Sequence, residues 1–461
     1  ICNLSMRQTF FYIPHEIAGV SVFGFGWMLL AWCLFSVGLL LWMIRRHGWS
    51  AETRSVLPML AVVAVAICFI LPILEVGSQG GPLAQLRQMF SSSKAASAAA
   101  SESELPRGLP IRGYGVLMLL GVVSGVGLAA QRARRVGLNP DVIFSLAFWM
   151  FLGGIAGARA FYVIQKWDEF RRPTLAGTIG EILKFTEGGL VVYGSLIGAL
   201  CAVLWFCHSR RLSALALGDL IAPSMAVGLA FGRIGCLMNG CCWGGACENP
   251  WLGITFPPSP PYLQQLHEGE LLGLRLARPA EDRSREVLQV EEGSLADRAG
   301  LRAGDRVTSL RYPSIDALRE ALSQSSQSAP HVVLDTSRGP ISFPASQLPA
   351  RSRPVHPTQI YSSVNAALLA FMLWVYFPFR RRDGEVFALM LTIYPVTRFL
   401  LESIRIDEAG AMGTAFSISQ LVSLGMLAVS CLLWAVLLAR PKHVSFARYP
   451  GASEAAAAGA S

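Results

Sequence analysis

The chain has 461 residues, 53% of them hydrophobic and only 15% charged, with a mean hydropathy of +0.46. That composition excludes an ordinary water-soluble domain and a disordered chain alike, since both carry more charge for each apolar residue. The formal charge of +9 sits in short arginine runs between apolar segments, which argues against a nucleic-acid partner and for a multi-pass membrane protein that meets anionic lipid head groups.

A bilayer crossing needs about 20 mostly apolar residues, and nine segments qualify: 22–44, 56–74, 113–130, 143–164, 189–207, 215–237, 361–379, 385–403 and 417–438. The first is too long and too poorly flanked for a cleaved signal peptide and is expected as a retained helix. The runs "IRRH" (44–47), "RARR" (132–135), "SRR" (209–211), "FRRRD" (379–383) and "ARPKH" (439–443) fall in every second loop. The positive-inside rule then puts the N-terminus and the stretch 238–360 outside the cytoplasm, and the C-terminus inside.

After the first two spans (residues 1–76), the small and polar stretch 77–108, with "SSSKAASAAASESE" at 91–104, reads as a flexible linker. A helical core, 109–250, follows. Within it "EGGLVVYGSLIGAL" (187–200) places Gly188, Gly194 and Gly198 on one face, the ordinary signature of close helix packing, with Tyr193 and Ser195 adding polar groups. The segment "LAFGRIGCLMNGCCWGG" (229–245) buries a cation among glycines. Gly228, Gly232 and Gly235 let neighbouring backbones approach Arg233, and Gly240, Gly244 and Gly245 suit a tight loop in left-handed conformations. A snorkelling arginine would need no glycines on both sides.

Ten cysteines are too scattered for a disulfide scaffold, and most behave as small core residues. Cys236, Cys241, Cys242 and Cys247 cluster where the topology permits disulfides. Their spacing matches no standard zinc pattern well, and adjacent Cys241 and Cys242 make a poor ligand pair. A local disulfide or free thiols are expected instead of metal.

Residues 251–353 have the composition of a water-soluble insert, with charges interleaved among short apolar runs. In order come "LLGLRLA" (271–277), "VLQVEEGSLADRAGLRAGDRVTSL" (287–310), "SIDALREALSQ" (314–324) and "HVVLDTS" (331–337). Gly300 and Gly304 flank a turn that closes a short helix, with Leu301 packed inward. Residues 271–346 resemble a PDZ domain, which implies capture of an extended peptide at a sheet edge; bracing of the outer face is the alternative. No H-E-x-x-H zinc motif accompanies it.

The second part of the core, 354–440, ends in a tail at 441–461. Its "YPVTRFLLESIRID" places Tyr394, Arg398, Glu402 and Arg405 at spacings of four, four and three, hence on one helix face. Each charge costs about 2.5–3.5 kcal/mol at the bilayer centre, and Pro395 interrupts the backbone ladder beside Tyr394. Two arginines against one carboxylate leave surplus positive charge. An anion site is the better reading than self-neutralisation.

The ordered set "IRGYG" (111–115), "FLGGIAGARAFYV" (151–163), "EGGLVVYGSLIG", "GDLIAPSMAVGLAFGRIGCLMNGCCWGG" (218–245), "HPTQIY" (356–361) and "YPVTRFLLESIRID" resembles the prolipoprotein diacylglyceryl transferase family of bacterial membrane enzymes. It covers roughly 109–250 and 354–440. The resemblance implies an all-α polytopic protein of about nine spans in the bacterial inner membrane, its site facing the outer leaflet, with an α+β insert. It also implies transfer of the diacylglyceryl group of phosphatidylglycerol to the lipobox cysteine of prolipoproteins, with release of glycerol phosphate and without metal or organic cofactor. Carried over residue by residue, Arg233 and Arg398 contact the phosphate or head group, and Glu402 orients Arg398. Tyr114, Asn239, Gly244 and Tyr394 line the pocket, and His356 and Arg405 join them as substrate-binding residues. Tyr193 stands where the family carries a histidine, Cys236 where it carries asparagine, Cys241 where it carries glutamate, and Ser362 where glutamate is frequent. A lipobox thiol must lose its proton to attack carbon, so Tyr193, His356, Glu402 and the departing phosphate all remain candidates for the base. Two rivals are a non-catalytic lipid-binding or transport protein on the same scaffold and an intramembrane serine protease built on Ser195. The protease lacks a histidine deep in a later helix.

Overall fold

Within hydrocarbon every backbone N–H and C=O has to be bonded inside the protein, so apolar runs of this length become helices. The computed structural model describes residues 9–49, 108–171, 191–249, 251–277, 284–323, 330–405 and 414–446, apart from single positions within these stretches, and isolated positions within 57–68 and 174–189. In chain order these form β1 (Thr9–Pro14), α1 (Trp27–His47), β2 (Gly108–Arg112), α2 (Gly113–Arg135), α3 (Pro140–Gln165), α4 (Val192–Arg210) and α5 (Ala214–Asn239). The insert adds α6 (Pro260–His267), β3 (Leu274–Leu276), β4 (Arg285–Val290), α7 (Leu295–Arg298), β5 (Arg306–Arg311), α8 (Ile315–Ser323), β6 (His331–Thr336) and β7 (Gly339–Pro344). Then come α9 (Thr358–Tyr376), α10 (Glu385–Glu402) and α11 (Ile418–Ala439).

Among the described residues seven helices are long and apolar enough to cross a membrane: α1, α2, α3, α4, α5, α9 and α11. This is a polytopic, mostly helical membrane protein. The expected span at 56–74 and the linker at 77–108 lie largely outside the described residues. The expected span at 385–403 forms α10, but Glu385, Arg398 and Glu402 set it apart from the seven.

The described residues fall into two units. One takes its residues from 9–113 and 145–210. In it β1 pairs antiparallel with β2, and α3 crosses α4 through reciprocal glycines. A Cβ at Gly157 would stand 2.3 Å from the Gly194 carbonyl oxygen, and one at Gly198 would stand 2.1 Å from that of Gly153. The packing role expected of Gly194 and Gly198 is therefore observed; Gly188 lies outside the described residues.

The other unit draws on 114–144 and 211–446. Ser213 caps α5, its side chain accepting from the Ala216 N–H, and Gly240 closes the helix in the left-handed conformation with φ 68° and ψ 43°. Gly121 and Gly125 of α2 lie against Phe231, Gly228 and Ser224 of α5, and α9 lies along α5, with the Ser363 hydroxyl donating to the Ala230 carbonyl at 3.0 Å. At its first turns α5 also carries Asp219, which is fully buried. Asp219 accepts backbone N–H bonds from Gly384 (2.7 Å) and Phe387 (2.9 Å) and so caps α10 from outside that helix. The equally buried Arg380 lies 3.8 Å from Asp219 and over the Phe377 ring.

The insert folds as a five-stranded antiparallel meander, β3-β4-β5-β6-β7. Its core holds Tyr262, Leu266, Leu272, Val287, Leu318, Val332 and Phe343. Ser294 caps α7, Gly300 and Gly304 have φ of 80° and 91°, and Leu301 is buried, as the sequence of that turn predicts. Two elements go beyond the sequence reading: α6, whose Pro260 and Pro261 start a helix, and β7, a strand that pairs with β6 after the quoted "HVVLDTS".

Candidate active site

The site begins where α5 ends. After Gly240 the chain turns back, and Cys242 adopts φ 62°; among the described residues only it and Arg211 are non-glycine residues in that region. The loop is then held by "HPTQIY". Thr358 Oγ1 donates to the Cys242 carbonyl at 2.6 Å and Gln359 Nε2 to the Cys241 carbonyl at 2.7 Å. The Gly244 N–H donates to the His356 carbonyl at 2.9 Å, and the His356 N–H donates to that of Gly245 at 2.9 Å. On its other side the Gly245 N–H donates to Ile404 at 3.0 Å, and Gly244 bridges Arg405. Three motifs far apart in sequence are thus stitched together by backbone.

Gly244 has to be glycine for a steric reason. A Cβ there would stand 2.8 Å from both His356 Cβ and Thr358 Cγ2.

Tyr394, Arg398 and Glu402 lie on α10 as expected, but the helix ends at Glu402, so Arg405, expected on the same helix face, lies beyond it in an antiparallel bridge with Gly244. Glu402, its side chain 2% exposed, pairs through Oε2 with Arg398 Nη1 and with Arg405 Nη1, the latter at 3.2 Å. Arg398 also donates to Ser419 Oγ of α11 at 3.2 Å. Arg233 and Arg405 both stand close enough to Arg398 for their charges to repel it, and Tyr394 is near as well. Arg233 and Arg405 also reach Cys242 electrostatically. Two guanidinium groups thus share the Glu402 carboxylate with a third near Arg398, so among the described residues cations outnumber acids in a mostly water-excluded place. Such a cluster suits a phosphate, which takes charge-assisted and often bidentate bonds from arginine.

Tyr114 packs against Gly235, where a Cβ would stand 3.1 Å from the ring, and interacts electrostatically with Arg233. His356 Nδ1 lies 3.4 Å from Tyr361 Oη. Asn239 is the last, exposed residue of α5. One unit therefore brings together Tyr114, Arg233, Gly244, His356, Tyr394, Arg398, Glu402 and Arg405, and Asn239 belongs to the same unit. Tyr193 occupies the second position of α4, in the other unit. Sequence reasoning missed the roles of Thr358, Gln359 and Ser419. Thr358 and Gln359 stand inside the quoted "HPTQIY" without a role assigned to them, and Ser419 lies in no quoted motif; hydroxyl and amide groups are common enough in helices to pass unnoticed.

A family model described as "Prolipoprotein diacylglyceryl transferase" matches residues 103–436. The chain belongs to that family. It is 36% identical to the phosphatidylglycerol–prolipoprotein diacylglyceryl transferase of Rhodopirellula baltica, over 92% of this chain and 88% of the relative. It is 28% identical to the enzyme so named in Clostridium tetani, over 69% of this chain and 89% of that one. Over shorter stretches it is 34% identical to the namesake of Synechococcus elongatus, across 31% of this chain and 48% of the relative. The family match contains all ten candidate site residues.

Proposed function

We propose that this family member transfers the diacylglyceryl group of phosphatidylglycerol to the lipobox cysteine thiol of prolipoproteins, forming a thioether and releasing glycerol phosphate. The observation that carries the reading is the pairing of Arg398 and Arg405 with the carboxylate of Glu402, with Arg233 near Arg398. In the reaction the acceptor sulfur forms a bond to the glyceryl carbon while the C–O bond to phosphate breaks. Charge grows on the departing phosphate, and donors aimed at developing charge stabilise the transition state more than the ground state. Arg233 and Arg398 are assigned to that phosphate, with Glu402 orienting Arg398 and Arg405. Tyr114, Asn239, Tyr394 and His356 are assigned to the head group and pocket wall, and Gly244 to the close approach of backbone.

Nine spans, an outer-leaflet site and residence in the bacterial inner membrane complete the proposal; the alternating arginine loops support them. The meander of the insert leaves β3 and β7 as edges, on which an extended prolipoprotein segment can add a strand. If deleting 268–348 left transfer unchanged for every prolipoprotein tested, the insert would be only a brace.

The deciding experiment is transfer of labelled diacylglyceryl from phosphatidylglycerol to a lipobox peptide by the purified protein, beside Arg233→Ala and Arg398→Ala. Thioether product lost in both variants supports the enzyme. Lipid binding without product for any peptide would leave a non-catalytic lipid-binding protein.

A further inference from the structure

Away from the active site one buried cation has no acceptor. Arg132 stands in the last turn of α2, in the same unit as α5 and α10, and is only 5% exposed. Solvent reaches neither of its terminal nitrogens, Nη1 and Nη2, and among the described residues neither finds a hydrogen-bond partner. A buried charge left in that state is costly, so such donors are nearly always met by an acceptor. The guanidinium of Arg132 lies 4.2 Å from the centroid of the Phe377 ring, and that of Arg380 lies 3.7 Å from the same ring. An aromatic face attracts a cation but leaves the N–H donors in the guanidinium plane unmet.

The acids nearby are already committed. The charges that act on Arg132 are Arg380, Asp219 and Arg135. Asp219 gives its two oxygens to the Gly384 and Phe387 N–H groups and faces Arg380 at 3.8 Å. Glu385, also buried at this end of α10, accepts from the Arg381 N–H at 2.7 Å and from Arg382 Nη1 at 3.4 Å. Arg380 is held in place by its bonds to the carbonyls of Phe377 (2.8 Å) and Phe446 (3.1 Å). Among the charges acting here, three cations therefore meet one carboxylate that is fully engaged, and an anion from outside the chain is what they lack.

We infer that Arg132 and Arg380, gathered at the Phe377 ring, form a second anion site that takes the phosphate of an anionic phospholipid. Asp219 and Arg233 are fourteen residues apart on α5, so the two anion sites are about 20 Å apart along that helix. Guanidinium groups suit phosphate through charge-assisted, often bidentate bonds. The flank of the site suits acyl chains: Phe379, in the same turn as Phe377, is exposed, and so are Trp374 and Val375 in the last turn of α9. A soluble phosphate would make no use of that surface. The arginine runs "RARR" and "FRRRD" that supply the two cations belong on the cytoplasmic face by the positive-inside rule, where basic pockets between helices hold anionic head groups. No hydrogen bond holds either terminal nitrogen of Arg132, so turning its head toward an entering phosphate breaks none. The lipid held here is distinct from the donor of the transfer reaction, whose phosphate is assigned to the far end of α5.

The test uses the full-length protein in detergent, stripped of lipid and titrated with dioleoylphosphatidylglycerol, with bound lipids counted by native mass spectrometry. Dioleoylphosphatidylcholine gives the non-specific baseline. Wild type is expected to hold two phosphatidylglycerols, Arg132→Gln one, Arg233→Ala/Arg398→Ala one, and the protein with all three changes none. Loss of one charge-assisted bond should weaken the Arg132-dependent lipid about tenfold or more. Arg132→Lys should keep it at reduced affinity, and Arg134→Gln, which alters an exposed neighbour, should leave it unchanged. Equal counts in wild type and Arg132→Gln would overturn the site and leave buried water as the acceptor. If Arg132→Gln does not fold, Arg233→Ala/Arg398→Ala decides: one lipid above the baseline supports the site, and none overturns it. Inorganic phosphate that raises the thermal midpoint of Arg233→Ala/Arg398→Ala where the lipid does not would keep the anion site and overturn the lipid. A wild type holding one lipid, lost in Arg132→Gln alone, would uphold this site and count against the active-site reading instead.

Discussion

Gly244 donates its backbone N–H to the carbonyl of His356 at 2.9 Å, and the space its missing side chain would fill is taken by the Cβ of that same histidine, 2.8 Å away. Since Gly244 also bridges Arg405, one added methyl would push the "HPTQIY" segment away from the end of α10. Overpacking of this kind costs about 1–3 kcal/mol. Gly244→Ala is therefore expected to keep its helices and lose transfer activity at least tenfold, read as kcat/KM beside circular dichroism. Unchanged kinetics would mean that the stitched backbone does not position the arginines.

Glu402→Gln probes the shared carboxylate. The amide keeps one acceptor oxygen but turns an N–H toward two guanidinium groups, so a charge-assisted bond of about 1.5–3 kcal/mol is lost. At about 1.4 kcal/mol per factor of ten, kcat/KM should fall ten- to a hundredfold. Steady-state transfer with varied phosphatidylglycerol checks this, and Glu402→Asp should recover little, because its shorter arm cannot reach both arginines.

Asp219 caps α10 while facing Arg380, and both side chains are fully buried. Asp219→Ala leaves a buried guanidinium without its carboxylate and two backbone N–H groups without their acceptor. Breaking a buried pair costs about 3–5 kcal/mol, so the thermal midpoint in detergent should drop by several degrees. Asp219→Asn, which retains an acceptor, should drop less; equal losses would assign the effect to charge alone.

In the insert, Arg353 grips Glu291 with two bonds, at 2.8 and 2.6 Å. That guanidinium holds the Glu291 carboxyl below its usual range, and the hydrogen-bonded carboxylate in turn raises the pKa of Arg353. A carboxyl depressed on folding contributes stability that is present above its unfolded value, near 4.5, and is lost as pH falls through the lower folded value. Both side chains are about half exposed, so the contribution is small, about 0.2–1 kcal/mol. Glu291→Gln should unfold slightly earlier than wild type at pH 7 and with it near pH 3, as followed by thermal melts. A difference that grows with acid would contradict the pairing.

The helices and the motif order were legible because both are local: apolar run lengths set the spans, and the i, i+4, i+8 spacing of Tyr394, Arg398 and Glu402 sets one face. The convergence was not legible. No pattern in the chain says that Gly244 will bridge Arg405, that Ser419 will reach Arg398, or that Thr358 and Gln359 will clamp the cysteine loop, since each joins residues set by tertiary packing. Nor does any pattern bring Cys236, Cys241 and Cys242 within 4.8 Å of one another, because the positive φ of Cys242 is set in a loop held from another helix. Arg380, counted in sequence as one of several loop arginines, is fully buried, because Asp219 and the Phe377 ring receive it.

The interlocked glycines of α3 and α4 act as a ratchet. Each carbonyl occupies the volume that a side chain on the opposite helix would need, so a slip of one residue, about 1.5 Å along the axis and 100° around it, would drive Tyr193 or Ser195 into the crossing. A four-residue shift, about 6 Å along the axis, would keep one glycine crossing and set Ala202 or Leu190 in place of the other. Tyr193, one residue before Gly194, consequently has its depth and bearing on α4 set by the mesh of its neighbours.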